Sequence, residues 1–136
     1  MQQVYDFLKK CGTYYLATVE GEQPRVRPFG TVDLFEGKLY LQTGLSKSVA
    51  QQLKADPKVE LCAFDGERWL RVAATAVYDD NIEAQKHIAV DLIANATGGS
   101  RENIGGNAFI HGHFRNQRCF RCQSTVKDHS YPAFFK

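Results

Sequence analysis

The sequence lacks any long hydrophobic segment. No apolar run among its 136 residues approaches the roughly 20 residues that a membrane-spanning helix requires. Charged residues at Asp6, Lys9 and Lys10 interrupt the N-terminal segment, unlike the apolar centre of a secretory signal peptide. We therefore expect no membrane association and a cytoplasmic location.

The sequence also lacks a strong excess of charge of one sign, because its formal net charge is only +2 at pH 7. Such a small value disfavours a nucleic-acid partner. The charge is unevenly spread, however: residues 1–100 carry 11 basic and 13 acidic side chains, whereas residues 101–136 carry 6 basic and 2 acidic ones. The C-terminal segment therefore differs in kind from the body, and a module that binds partners through a basic tail stays open as one alternative.

Cysteine is infrequent, with four residues at Cys11, Cys62, Cys119 and Cys122. An even number permits a disulfide framework, but such frameworks belong to secreted chains, and this chain shows no secretion signal. Cys11 and Cys62 stand in apolar contexts. We expect both to be buried thiols.

Recognisable catalytic motifs are missing as well. The sequence contains no convincing nucleophile–base pair, carboxylate dyad or Walker-type loop, which disfavours hydrolytic and kinase chemistry. No catalytic residue is assigned. If the protein is an enzyme, a bound cofactor performs the chemistry.

The composition itself is that of a globular protein, with 43% hydrophobic and 24% charged residues. The length favours a single domain over residues 1–136. Residues 1–94 show regular periodicity and form its body. Residues 95–136 form an atypical C-terminal segment, since five of the eleven glycines fall between Gly98 and Gly112 and the periodicity is lost.

The alternation of apolar and polar residues predicts a mainly β fold with flanking helices. Helices are expected at residues 2–10, 46–55 and 79–94. Strands are expected at residues 13–19, 25–34, 38–43, 58–64 and 68–78, and late strands at 109–114 and 119–126. The strand at 68–78 is long enough to bend around a barrel.

Residues 24–57 organise the chain, because two extended runs there lead into a short amphipathic helix. The first run carries Arg25 and Arg27. Thr43, Ser46 and Lys47 gather where the second run meets the helix, whose free N–H groups favour an anion. This arrangement predicts a phosphate-binding site.

Three segments together resemble the pyridoxamine 5′-phosphate oxidase-like, FMN-binding split-barrel family, and in particular its general stress protein 26 branch. They read YYLATVEGEQPRVRPFG, LYLQTGLSKSVAQQLKADPKVELCAFDG and RWLRVAATAVYDD, and the resemblance as a whole covers about residues 1–90. The resemblance implies a six-stranded antiparallel split barrel. It also implies a homodimer with one FMN in each of two clefts at the subunit interface.

The resemblance supplies candidate cofactor-binding residues. Thr43, Ser46 and Lys47 match the phosphate site, with Gln42 beside them. Trp69 and Arg71 match a strand near the dimer seam, where they would complete the neighbouring pocket. Arg25, Val26, Arg27 and Pro28 match the strand that runs beside the isoalloxazine ring, and the two arginines are also candidates for phosphate or ring contact.

The C-terminal segment departs from the family, since nothing in residues 111–136 matches the Arg-rich motif that holds the substrate phosphate in true pyridoxamine phosphate oxidases. Vitamin B6 chemistry is therefore not assigned. We expect an FMN-dependent oxidoreductase acting on an unidentified small molecule, with a small-molecule electron donor or acceptor. The alternatives are a flavin-binding carrier, sensor or stress protein without turnover, and the deazaflavin or haem that related barrels bind.

A zinc site is the other alternative. His111, His113, Cys119 and Cys122 are ligand types at spacings that permit tetrahedral coordination, which would organise the basic tail as an interaction module. A zinc ribbon or finger has a tighter framework than this one. We therefore favour no metal, and a redox role for the single CxxC is weaker still because no βαβ pattern surrounds it.

Overall fold

The computed structural model describes residues 1–97 and 117–124. The described helices are α1 (Gln2–Cys11), α2 (Ser48–Ala55) and α3 (Ile82–Thr97), and the described strands are β1 (Tyr14–Glu20), β2 (Gln23–Phe29), β3 (Asp33–Phe35), β4 (Lys38–Gly44), β5 (Lys58–Phe64), β6 (Trp69–Asp79) and β7 (Gln117–Ser124). All strand pairs are antiparallel. The expected mainly β fold with flanking helices is confirmed.

The strands form one sheet in the order β2-β1-β5-β6-β7-β4-β3. Its two edge strands, β2 and β3, are consecutive in the chain and are separated only by residues 30–32. So short a connection spans at most about 14 Å, so the sheet has to curl until its edges approach each other. The two edges do not pair, which makes the structure a split barrel.

The six strands that the family resemblance implied are one too few. The run at residues 25–34 is not one strand, because it breaks after Phe29 and resumes as β3 at Asp33. Non-ladder hydrogen bonds hold the break: the Tyr14 hydroxyl donates to the Thr31 carbonyl over 2.8 Å, and Thr31 Oγ1 donates to the Gln42 carbonyl over 2.8 Å. The described residues therefore contain seven strands instead of six.

The core fills the inner face of the curled sheet. Alternate residues of each strand point inward, so Tyr14 is buried while its neighbour Tyr15 is 53% exposed. The largest fully buried side chains of this core include Tyr14, Leu16, Leu39, Leu41, Leu61, Val72 and Phe120. Helix α1 adds Val4 and Leu8, and α2 adds Val49, Ala50 and Leu53.

Helix boundaries follow local signals. Helix α1 ends at Gly12, whose φ of 71° lies in the left-handed region that glycine tolerates. Helix α3 begins after Asn81, whose Oδ1 accepts the N–H groups of Glu83 and Ala84. Within the described residues no helix is long and apolar enough to cross a bilayer.

The cysteine prediction needs correction. Cys11 and Cys62 are both half-buried, while Cys122 on β7 is buried in the core. Strand β7 agrees with the expected late strand at 119–126, and the strand expected at 109–114 lies outside the described residues.

Candidate functional site

The start of helix α2 is the first part of the site. The helix begins at Ser48, two residues later than predicted, and Lys47 occupies the N-cap position with extended backbone angles. The Lys47 N–H donates to the Gly44 carbonyl over 3.1 Å, which closes a turn between β4 and the helix. Among the described residues no side chain caps the helix, and Ser46 and Lys47 are exposed. An uncapped N-terminus beside an exposed ammonium group is suited to an anion.

Thr43 stands at the end of β4, immediately before this turn. It is only 4% exposed, and its Oγ1 has no hydrogen-bond partner among the described residues. A buried hydroxyl without a partner costs about 1–3 kcal/mol. This orphaned atom fits a site completed by a polar ligand, such as a cofactor with a phosphate or a hydroxylated chain.

Gln42 also has a buried polar atom, its Oε1, for which residues 1–97 and 117–124 supply no partner. Gln42 and Thr43 are consecutive strand residues, so their side chains leave the sheet on opposite faces. The Gln42 N–H donates to Thr31 Oγ1 over 3.2 Å, and Thr31 Oγ1 donates in turn to the Gln42 carbonyl over 2.8 Å. The structure therefore places Gln42 and Thr43 next to each other in sequence but does not bring their side chains to one surface.

Arg25 and Arg27 lie on the inner face of the edge strand β2, opposite Thr18 and Leu16 of β1. Arg25 forms an exposed ion pair with Glu20, with Nη2 2.6 Å from Oε2. Hydrogen bonds from Arg25 and then from Gln52 lower the pKa of Glu20. Arg27 is half-buried and bonds Gln52 of α2 instead of pointing into open solvent.

Comparison with known proteins decides the family. The family model for pyridoxamine 5′-phosphate oxidase matches residues 1–111. The chain belongs to this family. No curated protein sequence matches the chain.

Solved structures of similar fold agree with membership of the family. A NimC/NimA family protein from Clostridium acetobutylicum has 27% identity and a TM-score of 0.73, over 98% of this chain and 92% of that chain. A conserved hypothetical protein from Mycobacterium tuberculosis has 20% identity and a TM-score of 0.80, over 96% and 83%. A FAD-binding protein from Mesorhizobium loti has 16% identity and a TM-score of 0.61, over 92% and 89%. The last two identities carry the fold alone.

The remaining candidate residues of this family member lie on the outer face of the sheet. Val26 is 69% exposed, and it neighbours Ala17 on β1 as Pro28 neighbours Tyr15. Trp69 lies on β6 with the Arg71 guanidinium 5.0 Å from its ring centroid. None of these residues shares the inner face on which Thr43, Arg25 and Arg27 lie.

Trp69 and Arg71 have further surroundings that the sequence did not reveal. The Arg71 Nε lies 3.3 Å from Oε1 of Glu60 on the neighbouring strand. Trp69 also borders a cavity of about 500 Å³, lined on its apolar side by Val4 and Phe7 of α1. A single copy of the chain therefore presents Trp69 away from the start of α2.

The ligand set of the zinc alternative is only partly described. His111 and His113 lie outside the described residues. Cys122 belongs to the core, and burial raises its pKa to about 12, which disfavours the thiolate that zinc requires. Within residues 1–97 and 117–124 no group of three or more metal-ligating side chains is gathered.

Sequence reasoning missed the residues that hold α2 against the sheet. Gln52 is 6% exposed and Thr18 is 3% exposed, and Thr18 Oγ1 donates to Gln52 Oε1 over 2.7 Å. One signal was present: Gln52 falls next to Leu53 on the face of a short helix that must pack inward, where an apolar residue is expected. A polar residue at such a position implies a buried partner.

Proposed function

We propose that the protein binds FMN, with the phosphate at the start of α2, and acts as an FMN-dependent oxidoreductase on a small molecule. The observation that carries the proposal is the orphaned Oγ1 of Thr43, buried directly before the turn that leads to the uncapped helix. Family membership supplies the class of cofactor. Membership of the general stress protein branch and a cytoplasmic location stay predictions.

The charges at this end suit a phosphomonoester, which carries between one and two negative charges near neutral pH. Lys47 supplies an ammonium group, Ser46 a hydroxyl and the first turn of α2 its free N–H groups. Among the described residues no carboxylate pairs with Lys47. Charge-assisted hydrogen bonds of this kind are the strong ones in proteins.

The residues divide the work of holding such a ligand. The phosphate would be bound by Lys47, Ser46 and the backbone of α2. Thr43 would orient the hydroxylated chain of the cofactor next to the phosphate. Bound FMN supplies electron transfer, and the protein positions the electron donor or acceptor and excludes competing partners.

A second copy of this chain is the proposed partner. Three large hydrophobic side chains on strands β1, β2 and β5 are exposed: Tyr15 by 53%, Val26 by 69% and Phe64 by 47%. They lie on the outer face of neighbouring strands, together with the half-buried Cys62 and Trp69. An exposed apolar face of this kind, interrupted by the ion pair of Arg71 with Glu60, favours an isologous interface, which would bring Trp69 and Arg71 of one subunit towards its partner.

The test is the absorption spectrum of the purified protein, followed by titration with FMN. We expect flavin bands near those of free FMN, one flavin per chain, and bleaching when NAD(P)H or a chemical reductant is added under anaerobic conditions. A Soret band would indicate that the protein binds haem instead of FMN, and the spectrum of a deazaflavin would indicate a deazaflavin. Failure to bind FMN, FAD, deazaflavin or haem at micromolar concentration would refute the proposed function.

A further inference from the structure

A polar cluster joins the β1–β2 hairpin to the middle of helix α2. Arg27 Nη1 donates to Thr18 Oγ1 over 2.6 Å and to the Leu16 carbonyl over 3.2 Å, and Arg27 Nη2 donates to Gln52 Oε1 over 2.7 Å. Gln52 Nε2 donates to Glu20 Oε1 over 3.2 Å. We call these four side chains, Thr18, Glu20, Arg27 and Gln52, the hairpin–helix clamp.

The clamp uses the whole hydrogen-bonding capacity of the Gln52 side-chain oxygen. Its Oε1 accepts from both Thr18 and Arg27, and its amide nitrogen donates to a carboxylate. Because Gln52 is 6% exposed, losing either donor would leave a buried amide underpaired. The orientation of the Gln52 side chain is therefore fixed by the hairpin.

Packing alone does not fix this side of α2. A cavity of about 370 Å³ lies between the helix and the hairpin, lined by Glu20, Ser48, Gln51 and Gln52 among others. The bond between Gln52 and Glu20 crosses this gap. Since a helix of eight residues has little stability of its own, the clamp sets the spacing between hairpin and helix.

The start of the helix is rigidly connected to the clamp. Gln52 follows Lys47 by five residues, which is about 7.5 Å along a helix axis. A rotation or shift of α2 at Gln52 is thus transmitted to Lys47, Ser46 and the free N–H groups. Arg27 itself is engaged by Leu16, Thr18 and Gln52, and Arg25 is engaged by Glu20.

We infer that Arg27 is a positioning residue for the phosphate end of the site, acting through Gln52 and not by touching the ligand. This inference rests on the proposed function, because it assumes that the FMN phosphate lies at the start of α2. It differs from the sequence-based expectation that Arg27 contacts the phosphate or the ring. It predicts that Arg27 and Gln52 influence phosphate binding as one unit.

The test is a double-mutant cycle with Arg27→Met, Gln52→Met and the double variant. Dissociation constants for FMN and for riboflavin, which lacks the phosphate, are measured by flavin fluorescence, and urea unfolding is followed without flavin. We expect each single change to raise the FMN dissociation constant by roughly three- to tenfold. The riboflavin dissociation constant should change less than twofold. The FMN dissociation constant of the double variant should be no higher than that of the single variant that binds FMN less tightly.

The control is Lys86→Met, which removes an ion pair with Glu83 on helix α3, outside the clamp, and should leave the ratio of FMN to riboflavin affinity unchanged. If Arg27→Met does not fold, Arg27→Lys keeps the stem and the charge while losing the two-pronged donor, and it should give a smaller effect in the same direction. Independently of any flavin, the urea midpoints should show that the Arg27 and Gln52 changes are not additive.

The outcomes separate the two proposals. If the parent protein binds no FMN, the proposed function fails. If the parent binds FMN but Gln52→Met leaves the FMN-to-riboflavin ratio unchanged while Arg27→Met alters it, Arg27 contacts the phosphate directly and the positioning role is wrong. Equal losses of FMN and riboflavin in both single variants would also overturn it, since the clamp would then serve the fold alone.

Discussion

Lys10 Nζ lies 3.0 Å from Oδ2 of Asp65, which ties the last turn of α1 to the turn between β5 and β6. The Asp65 side chain is only 2% exposed. It accepts further hydrogen bonds from the backbone N–H groups of Glu67 and Arg68 and from the Arg68 guanidinium. The Arg68 N–H, the Lys10 ammonium and the Glu67 N–H, in that order, hold the pKa of Asp65 well below its usual range.

Asp65→Asn should therefore lower stability in a pH-dependent way. A carboxyl whose pKa is depressed in the folded state contributes stability above its unfolded pKa of about 3.9, and loses that contribution as the pH falls towards the folded value. Urea midpoints of the parent should exceed those of Asp65→Asn at pH 7, and the gap should narrow below pH 4. Asp6→Asn, at an exposed position of α1, is the control, and a gap that is constant from pH 7 to pH 3 would contradict this account.

Thr43→Val tests the orphaned hydroxyl directly. Removing a buried hydroxyl without a partner should leave the flavin-free protein equally stable or more stable by up to about 1–2 kcal/mol. The same change should weaken FMN, because the ligand loses a hydrogen bond. Thr18→Val is the matched control: its hydroxyl is bonded to Arg27 and Gln52, so that variant should be less stable. If both variants are equally destabilised, the Thr43 hydroxyl has a hydrogen-bond partner in the flavin-free protein, which would contradict this account.

Lys47→Ala should weaken FMN selectively. A charge-assisted hydrogen bond is worth about 1.5–3 kcal/mol, so the dissociation constant should rise roughly ten- to a hundredfold while riboflavin is almost unaffected. Lys54→Ala is the control on the same helix, where the exposed ammonium lies 5.0 Å from the ring centroid of Tyr78. Lys54→Ala should leave the FMN dissociation constant unchanged, and titration of both variants by flavin fluorescence measures the two constants. If Lys47→Ala binds FMN as tightly as the parent protein, the phosphate does not lie at the start of α2.

Val26→Glu should dissociate the proposed dimer. The change places a carboxylate on the apolar outer face in both subunits, so we expect the dimer dissociation constant to rise roughly a hundredfold or more. Ile82→Glu alters another exposed hydrophobic residue, at the start of α3, and should leave the dimer intact. Light scattering after size exclusion gives the masses. A dimer that survives Val26→Glu at micromolar concentration would locate the second copy on another surface.

Cys122 should be inert towards alkylation in the folded protein. With a pKa raised to about 12 by burial, almost none of its thiol is ionised at pH 8, whereas Cys11 is half-buried and lies outside the proposed dimer interface. Iodoacetamide labelling resolved by mass spectrometry should modify Cys11 faster than Cys122. In urea the two rates should converge, and comparable rates in the folded state would place Cys122 outside the core.

The elements that local pattern determines were predicted well. Alternating apolar residues located β5 at residues 58–64, and helical spacing of Val4 and Leu8 with Gly12 as a stop located α1. The gap between β2 and β3 was not predicted, because residues 30–32 read as strand. Tyr14 and Gln42, which hold Thr31 out of the ladder, are distant in sequence.

The candidate site was only partly readable for the same reason. Lys47, Ser46 and Thr43 are close in sequence, and their joint placement at the β4–α2 turn follows from local structure. The partner of Arg27 is Gln52, 25 residues away, and which of several polar residues an arginine meets depends on how the barrel curls. Residue types suggested an anion site, whereas tertiary contacts assign Arg27 to the helix.

The position of β7 bears on when the barrel is completed during synthesis. This strand separates β6 from β4 in the sheet, with Phe120 opposite both Leu41 and Tyr78, yet it is the last described strand in the chain. A nascent chain that has not yet released residues 117–124 from the ribosome has to hold β2-β1-β5-β6 and β3-β4 as separate sheets. Each of them then shows an open edge that invites pairing with other chains. A translational pause before residue 117 should therefore favour aggregation, and chaperones would be needed most in that interval.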